Sequence, residues 1–324
     1  MTVRIALLSR IVAASEASMR RLRELGVEIV LDLPGYDALG GDRDRWDAVL
    51  REIDGLVVGL QPVDRRLLET ASKLRYVLRI GTGLDNVDTA AAAEFGVRVD
   101  SLPGLNAAAV AEYAFGLLLA AARRIPEADA SMRAGEWTRF SGRHLGGRTL
   151  GLIGYGAIGS LMVPKARGFG MDVLVHRRGG GAVGEPGVRT VPLDELLAAA
   201  DFISLHVPLT EETRSLLGER EFALMKPGVV LVNTARGEVL DQAALAAALA
   251  GGRLGALALD VFPQEPPAPS PLLRTLLARR DVVLSPHNGG YSDLVMEQSA
   301  AAAVDALAGA LLATGMPGAG PPRH

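Results

Sequence analysis

Three residues of complementary chemistry lie late in the chain, each just past an apolar run. They are Arg236 in VNTARGEVLD, Glu265 in LDVFPQEPP and His287 in VVLSPHNGG. An imidazole is the side chain best suited to give and take a proton near neutral pH. A neighbouring carboxylate fixes the ring and favours its protonated form. A guanidinium binds a carboxylate through paired bonds and polarises an adjacent carbonyl. The set suits acid–base work on a small carbonyl acid and needs neither a nucleophile nor a metal. Each residue alone also reads as a surface arginine, a turn glutamate before Pro266 and Pro267, or a hydrogen-bonded strand-end histidine. Their succession on three consecutive strand ends favours the chemical reading, because ligands of doubly wound sheets sit beyond the carboxyl ends of the strands.

A second motif supplies a phosphate site. TLGLIGYGAIGSLM contains Gly154, Tyr155, Gly156, Ala157, Ile158 and Gly159 between an expected strand and an expected helix. Gly154 allows the tight turn, Gly156 lets backbone approach a pyrophosphate, and Gly159 permits close helix–strand packing. The helix start then offers free N–H groups to the phosphates. The following helix carries Pro164, where a kink is expected. The next strand ends in His176, Arg177 and Arg178, and no acid follows before Glu185. A carboxylate there would bind the ribose 2′-hydroxyl and repel a 2′-phosphate, whereas a guanidinium pairs with the phosphate. The expected cofactor is therefore NADPH, with NAD as the alternative. His206, ending another strand in SLHVPLTEET, is a further candidate contact; His144 lies in a loop and His324 is terminal.

These residues must be carried by alternating strands and helices, which the chain provides twice. Strands are expected at 4–8, 28–31, 55–58, 76–80 and 97–99, with helices such as 15–25 and 64–72 between them. A second series is expected at 149–153, 172–176, 202–206, 229–233, 256–260 and 282–285, the six strands of a complete dinucleotide fold. A helix over 107–124, followed by Pro126, joins the series. A last helix over 293–312 is expected to return to the first, since the second sheet is already complete. The expected fold is α/β with two doubly wound parallel-sheet domains. A Rossmann dinucleotide-binding domain (102–289) is inserted in a flavodoxin-like substrate domain (1–101 and 290–324). The two crossings make a natural hinge. The Gly/Pro-rich end, TGMPGAGPPRH, reads as a loose tail.

Composition narrows the class. With 34 basic and 37 acidic side chains the net charge is -3, so no global positive field draws in nucleic acid or anionic lipid. The absence of cysteine excludes a disulfide scaffold, a thiolate nucleophile and a thiolate metal site, and fits a cytoplasmic protein. The most apolar stretch, 107–122, carries Glu112 and is too short to span a membrane; the start reads as a strand and not a leader.

The chain resembles the D-isomer-specific 2-hydroxyacid dehydrogenase family over about residues 50–300. The likeness rests on LRYVLRIGTGLDNVD, NAAAVAEYAFGLLLAAARR, LGLIGYGAIGS, LHVPLTEETRSLL, MKPGVVLVNTARGEVLD, GALALDVFPQEPP and SPHNGG. The resemblance implies that Arg236 anchors substrate, Glu265 tunes the histidine and His287 is the acid/base. It implies that backbone amides of Thr82 and Gly83 hold the substrate carboxylate, a role a Gly-rich turn suits physically. It further implies that Asp260 contacts the nicotinamide end, and that Thr234, His206, Pro208 and Thr213 lie near cofactor. The chain departs from the family pattern at Arg177 and at Asn288-Gly289-Gly290. Glu265, where formate dehydrogenases carry Gln, argues against that chemistry, and Thr82, where the phosphite-oxidising branch carries Lys, argues against the other. No appended regulatory domain is expected.

The implied activity is reduction of a small 2-oxo acid such as glyoxylate or hydroxypyruvate to a D-2-hydroxy acid. The alternatives are an NAD-dependent 3-phosphoglycerate dehydrogenase, for which Arg79 and Arg139 are candidate phosphate contacts, and a cofactor-sensing binding protein. A homodimer is expected, with the 107–122 helix as a candidate interface.

Overall fold

A computed structural model describes residues 2–30 and 43–313. The expected tail at 314–324, Leu31 and His324 lie outside the described residues. The chain forms two compact units. One runs up to Asn106 and resumes at Tyr291; the other is Ala107–Gly290. Residues 102–106, expected with the dinucleotide domain, belong to the first unit. There Leu102 donates its N–H to the Gly81 carbonyl and packs in the core.

The first unit holds a five-stranded parallel sheet. Its strands are β1 (Arg4–Leu7), β2 (Glu28–Val30), β3 (Gly55–Val58), β4 (Tyr76–Arg79) and β5 (Arg98–Ser101). Their order is β2-β1-β3-β4-β5, so the winding direction reverses between β1 and β3. β1, β3 and β4, apart from Arg4 and Arg79 at their ends, are apolar and buried on both faces, as a helix-covered parallel sheet requires. The closing helix Asp293–Ala313 packs on this sheet, with Ala303, Val304, Leu307, Ala310 and Leu311 against Val3, Ile5 and Leu78. By length and apolarity Asp293–Leu312 would suffice to cross a membrane, but its buried side chains belong to this core.

The second unit holds seven parallel strands. They are β6 (Thr149–Ile153), β7 (Asp172–His176), β8 (Val188–Thr190), β9 (Phe202–Leu205), β10 (Val229–Asn233), β11 (Leu254–Leu259) and β12 (Val282–Leu284). Their order is β12-β11-β10-β9-β6-β7-β8. The edge strand β8 was not expected. It has three residues after a Gly/Pro-rich turn and lacks an apolar run, so pairing with β7 defines it and not its own pattern.

Two helices also depart from expectation. Helix Ala107–Arg123 buries Ala111, Ala114, Phe115, Leu117 and Leu118 against Met162, Val163 and Val230, so its apolar face fills this core and is not available as an interface. Pro126 does not end the helical region: one left-handed residue, Arg124 (φ 55°), interrupts it and a second helix, Ile125–Arg133, begins. Proline is tolerated in that first turn because its missing N–H has no intrahelical partner there. Helix Ala157–Gly168 runs on through Pro164, flanked by the buried Met162, Val163 and Ala166.

Candidate active site

The late-chain residues follow the carboxyl ends of β10, β11 and β12, where Glu265 and His287 meet. β10 ends in Asn233, fully buried, whose side chain accepts from Ala235 N (2.9 Å) and donates to the Arg236 carbonyl (2.8 Å). These bonds fold the turn that presents Arg236, whose Nη1 also donates to the Ala235 carbonyl (2.6 Å). Gly237 follows because a Cβ there would overlap the backbone of Phe262 and Pro263. The Arg236 turn thus lies directly against the segment that leads to Glu265. Sequence reasoning passed over Asn233, although an Asn ending a strand before a turn is the available signal.

Glu265 is held at both oxygens. Oε1 accepts the Phe262 N–H (3.0 Å) and Oε2 lies 2.6 Å from His287 Nδ1. A carboxylate only accepts, so Nδ1 carries a hydrogen and Nε2 is the nitrogen left for proton exchange. His287 sits at φ 54°, in the left-handed region that a residue with a Cβ enters at a cost of about 1–3 kcal/mol. Asp260 holds it there. Its carbonyl accepts the His287 N–H (2.8 Å). Its carboxylate, almost wholly buried, accepts from Ser285 Oγ (2.6 Å), Asn288 N (2.8 Å) and Gly289 N (2.8 Å). Both Asp260 oxygens are therefore engaged by the turn that carries the histidine, a role the sequence did not suggest.

The Gly-rich loop lies at the head of β6. Gly154 adopts φ 100°, and a Cβ on it would overlap the His206 carbonyl. Around the Cβ position of Gly156 there is open space, and a Cβ on Gly159 would overlap the Gly154 carbonyl. Helix Ala157–Gly168 begins at Gly156 without a side-chain cap, which leaves its first amides to a ligand. Ala157 and Ile158 form the first turn.

Two buried polar atoms nearby have no partner among the described residues: His206 Nδ1 and Thr234 Oγ1. Nε2 of His206 pairs with Ser204 Oγ (2.9 Å), and burial pulls the imidazole down to about 4, so it is neutral. The open glycine, the uncapped helix and the orphaned atoms fit a bound dinucleotide. Thr213 is committed to its own loop, donating to the carbonyl of the exposed Pro208 (2.6 Å) and accepting from Thr210 N (2.8 Å).

At the end of β7, His176 Nδ1 lies 3.3 Å from the Val191 carbonyl. Arg178 pairs with Glu212 (3.1 Å). Arg177 is exposed and among the described residues faces no carboxylate; Glu185, the next acid, pairs with Arg167.

The other sheet carries the turn after β4. Among the described residues the N–H groups of Thr82 and Gly83 donate to no protein acceptor. Thr82 Oγ1 bonds Asn106 Oδ1 (3.3 Å) and accepts from Gly104 N (3.4 Å). Arg79 is buried, with Nη1 donating to the Ile80 carbonyl (2.8 Å), and only a glycine fits beside it at Gly81.

A Gly-rich turn opening a helix on a doubly wound parallel sheet defines a dinucleotide-binding domain. Residues 115–289 match the family model described as D-isomer specific 2-hydroxyacid dehydrogenase, NAD binding domain, and the chain belongs to that family. The D-3-phosphoglycerate dehydrogenase of Mycobacterium bovis is 45% identical over 255 residues, 77% of this chain and 48% of that protein. The chain thus spans about half the length of that relative. The glyoxylate reductase of Korarchaeum cryptofilum is 40% identical over 293 residues, 87% of each chain. A solved glyoxylate reductase from Paecilomyes thermophila has a TM-score of 0.81 and 32% identity, covering 96% of this chain and 95% of the other.

Proposed function

We propose that the protein is a cytoplasmic oxidoreductase that uses NADPH to reduce a small 2-oxo acid, of the glyoxylate or hydroxypyruvate kind, to a D-2-hydroxy acid. The observation that carries this reading is the Glu265–His287 bond at 2.6 Å on a turn clamped by Asp260. It leaves one imidazole nitrogen, Nε2, for a substrate oxygen. The cofactor, when bound, supplies the hydride. Gly154, Gly156, Ala157, Ile158 and Gly159 would hold its pyrophosphate, with His206, Pro208, Thr213, Thr234 and Asp260 about its remaining length.

The chain's own residues do the rest. The amides of Thr82 and Gly83 and the guanidinium of Arg236 bind the substrate carboxylate, and Arg236 also polarises the carbonyl. His287 gives its Nε2 proton to the carbonyl oxygen as charge develops there. Glu265 keeps the ring oriented while that proton leaves.

Arg177, exposed and, among the described residues, without an acidic partner, supports a 2′-phosphate site, with His176 and Arg178 beside it. Preference for a small oxo acid is supported by the glyoxylate reductase of Korarchaeum, which matches along 87% of its length. The 45% identity to the mycobacterial enzyme favours, as a second reading, an NAD-dependent dehydrogenase of 3-phosphoglycerate. A homodimer belongs to the first reading; Ile125, Met132 and Trp137 present exposed apolar surface near one another in sequence.

Steady-state turnover of glyoxylate, hydroxypyruvate and 3-phosphohydroxypyruvate with NADPH and with NADH tests the assignment. The expected result is highest kcat/KM for a small oxo acid with NADPH. A clear NADH preference refutes the cofactor, and no turnover on any 2-oxo acid refutes the reaction.

A further inference from the structure

The first unit has a hydrogen-bond network at the point where its winding reverses, between β1 and β3, the place where doubly wound sheets present ligand crevices. The segment following β3 is tied to both neighbours by amide side chains. Gln61 Oε1 accepts the Gly59 N–H (2.8 Å), and Gln61 Nε2 donates to the Leu8 carbonyl beyond β1 (3.2 Å). Asn86 Nδ2 donates to the carbonyls of both Gly59 (3.1 Å) and Gln61 (2.7 Å). Asn86 belongs to the turn after β4 that carries Thr82 and Gly83. Its own carbonyl accepts the Val63 N–H (2.8 Å), and Val87 N closes back on Leu84 (2.9 Å).

The two bonds from the one side-chain amide pin one loop to another. It also fixes the amide orientation, since Oδ1 facing two carbonyls would be repelled. Among the described residues Oδ1, which is buried, has no partner, and leaving it so costs free energy.

We infer that Asn86 is a positioning residue for oxo-acid binding: it holds the Thr82–Gly83 amides in register with the loop after β3, without touching substrate. The inference rests on the carboxylate role proposed for those amides. It separates binding from chemistry, because nothing in this network belongs to the unit that carries His287.

The test compares wild type, Asn86→Ala, Asn86→Asp and Gln61→Met, with Lys73→Ala, in an exposed ion pair with Glu52, as control. KM for glyoxylate, kcat, KM for NADPH and thermal midpoint are measured for each. Loosening the amides by a fraction of an ångström raises KM for glyoxylate about tenfold in Asn86→Ala, with kcat and KM for NADPH nearly unchanged. Asn86→Asp, which sets a carboxylate against two carbonyls, shows a larger rise. Gln61→Met shows the same split to a smaller degree and decides the matter if Asn86→Ala does not fold. A folded variant with unchanged KM for glyoxylate overturns the inference. So does a parallel loss in kcat, KM for NADPH and midpoint. Wild type that turns over no 2-oxo acid instead removes the proposed function beneath it.

Discussion

The ends of the two sheets are built on opposite plans. In the second unit, β10, β11 and β12 deliver named side chains, Arg236, Glu265 and His287, whose side chains and backbones are fixed by hydrogen bonds. In the first unit, the turn after β4 offers backbone N–H groups, and its side chains serve to hold the turn. The difference teaches that proton transfer needs a particular side chain in one rotamer, whereas holding a carboxylate needs only donors at the right spacing. Changes in the second unit should therefore strike kcat, and changes in the first should strike KM.

The largest contrast comes from Arg236→Ala. If Arg236 polarises the carbonyl as proposed, its loss should lower kcat by about 10²–10³-fold. Steady-state kinetics on glyoxylate would break the contrast if only KM rose.

Asp260→Asn comes next. An amide cannot accept from Ser285, Asn288 and Gly289 as a carboxylate does, so the left-handed turn at His287 relaxes. A shift of about 1 Å in the imidazole should cost about 10²-fold in kcat. Retention of wild-type kcat with the fold intact, as judged by circular dichroism, would remove Asp260 from the account.

A smaller effect is expected on stability. Burial lowers His206 from 6.5 to about 4, so the unfolded chain binds a proton that the native chain refuses between those values. Stability conferred by the neutral imidazole is complete above that window and declines as pH falls through it. His206→Asn should abolish this part of the decline, seen by comparing urea midpoints at about pH 7.5 and about pH 5. Equal acid sensitivity of both proteins would contradict it.

Thr82→Ala should do least. The hydroxyl makes two long bonds at the turn, and the backbone N–H groups remain, so KM should change by no more than about threefold. A loss of tenfold or more would mean that the side chain itself binds the ligand.

The same contrast decides what could be read from sequence. Strands β6, β7, β9 and β10 were legible because apolar β-branched runs follow Gly-rich or polar turns, and the late-chain set was legible because each residue follows such a run. The edge strand β8 was hidden, since its three residues pair without an apolar pattern of their own. The helix Ile125–Arg133 was hidden by Pro126, which marks a helix start as readily as an end. Asp260 was noticed, but its bonds to Ser285, Asn288 and Gly289 depend on a turn geometry that spacing does not encode. Asn86 and Gln61 left no signal, because the bonds that tie the loops together run from their amides to backbone carbonyls far away in sequence.

The central claim is that His287 gives the proton through Nε2 while Glu265 holds Nδ1. Its most direct test is kcat of His287→Ala on glyoxylate with NADPH, with cofactor binding to the variant checked by fluorescence. General acid catalysis predicts a loss of about 10²–10⁴-fold with cofactor binding retained. Turnover within about threefold of wild type would contradict the account.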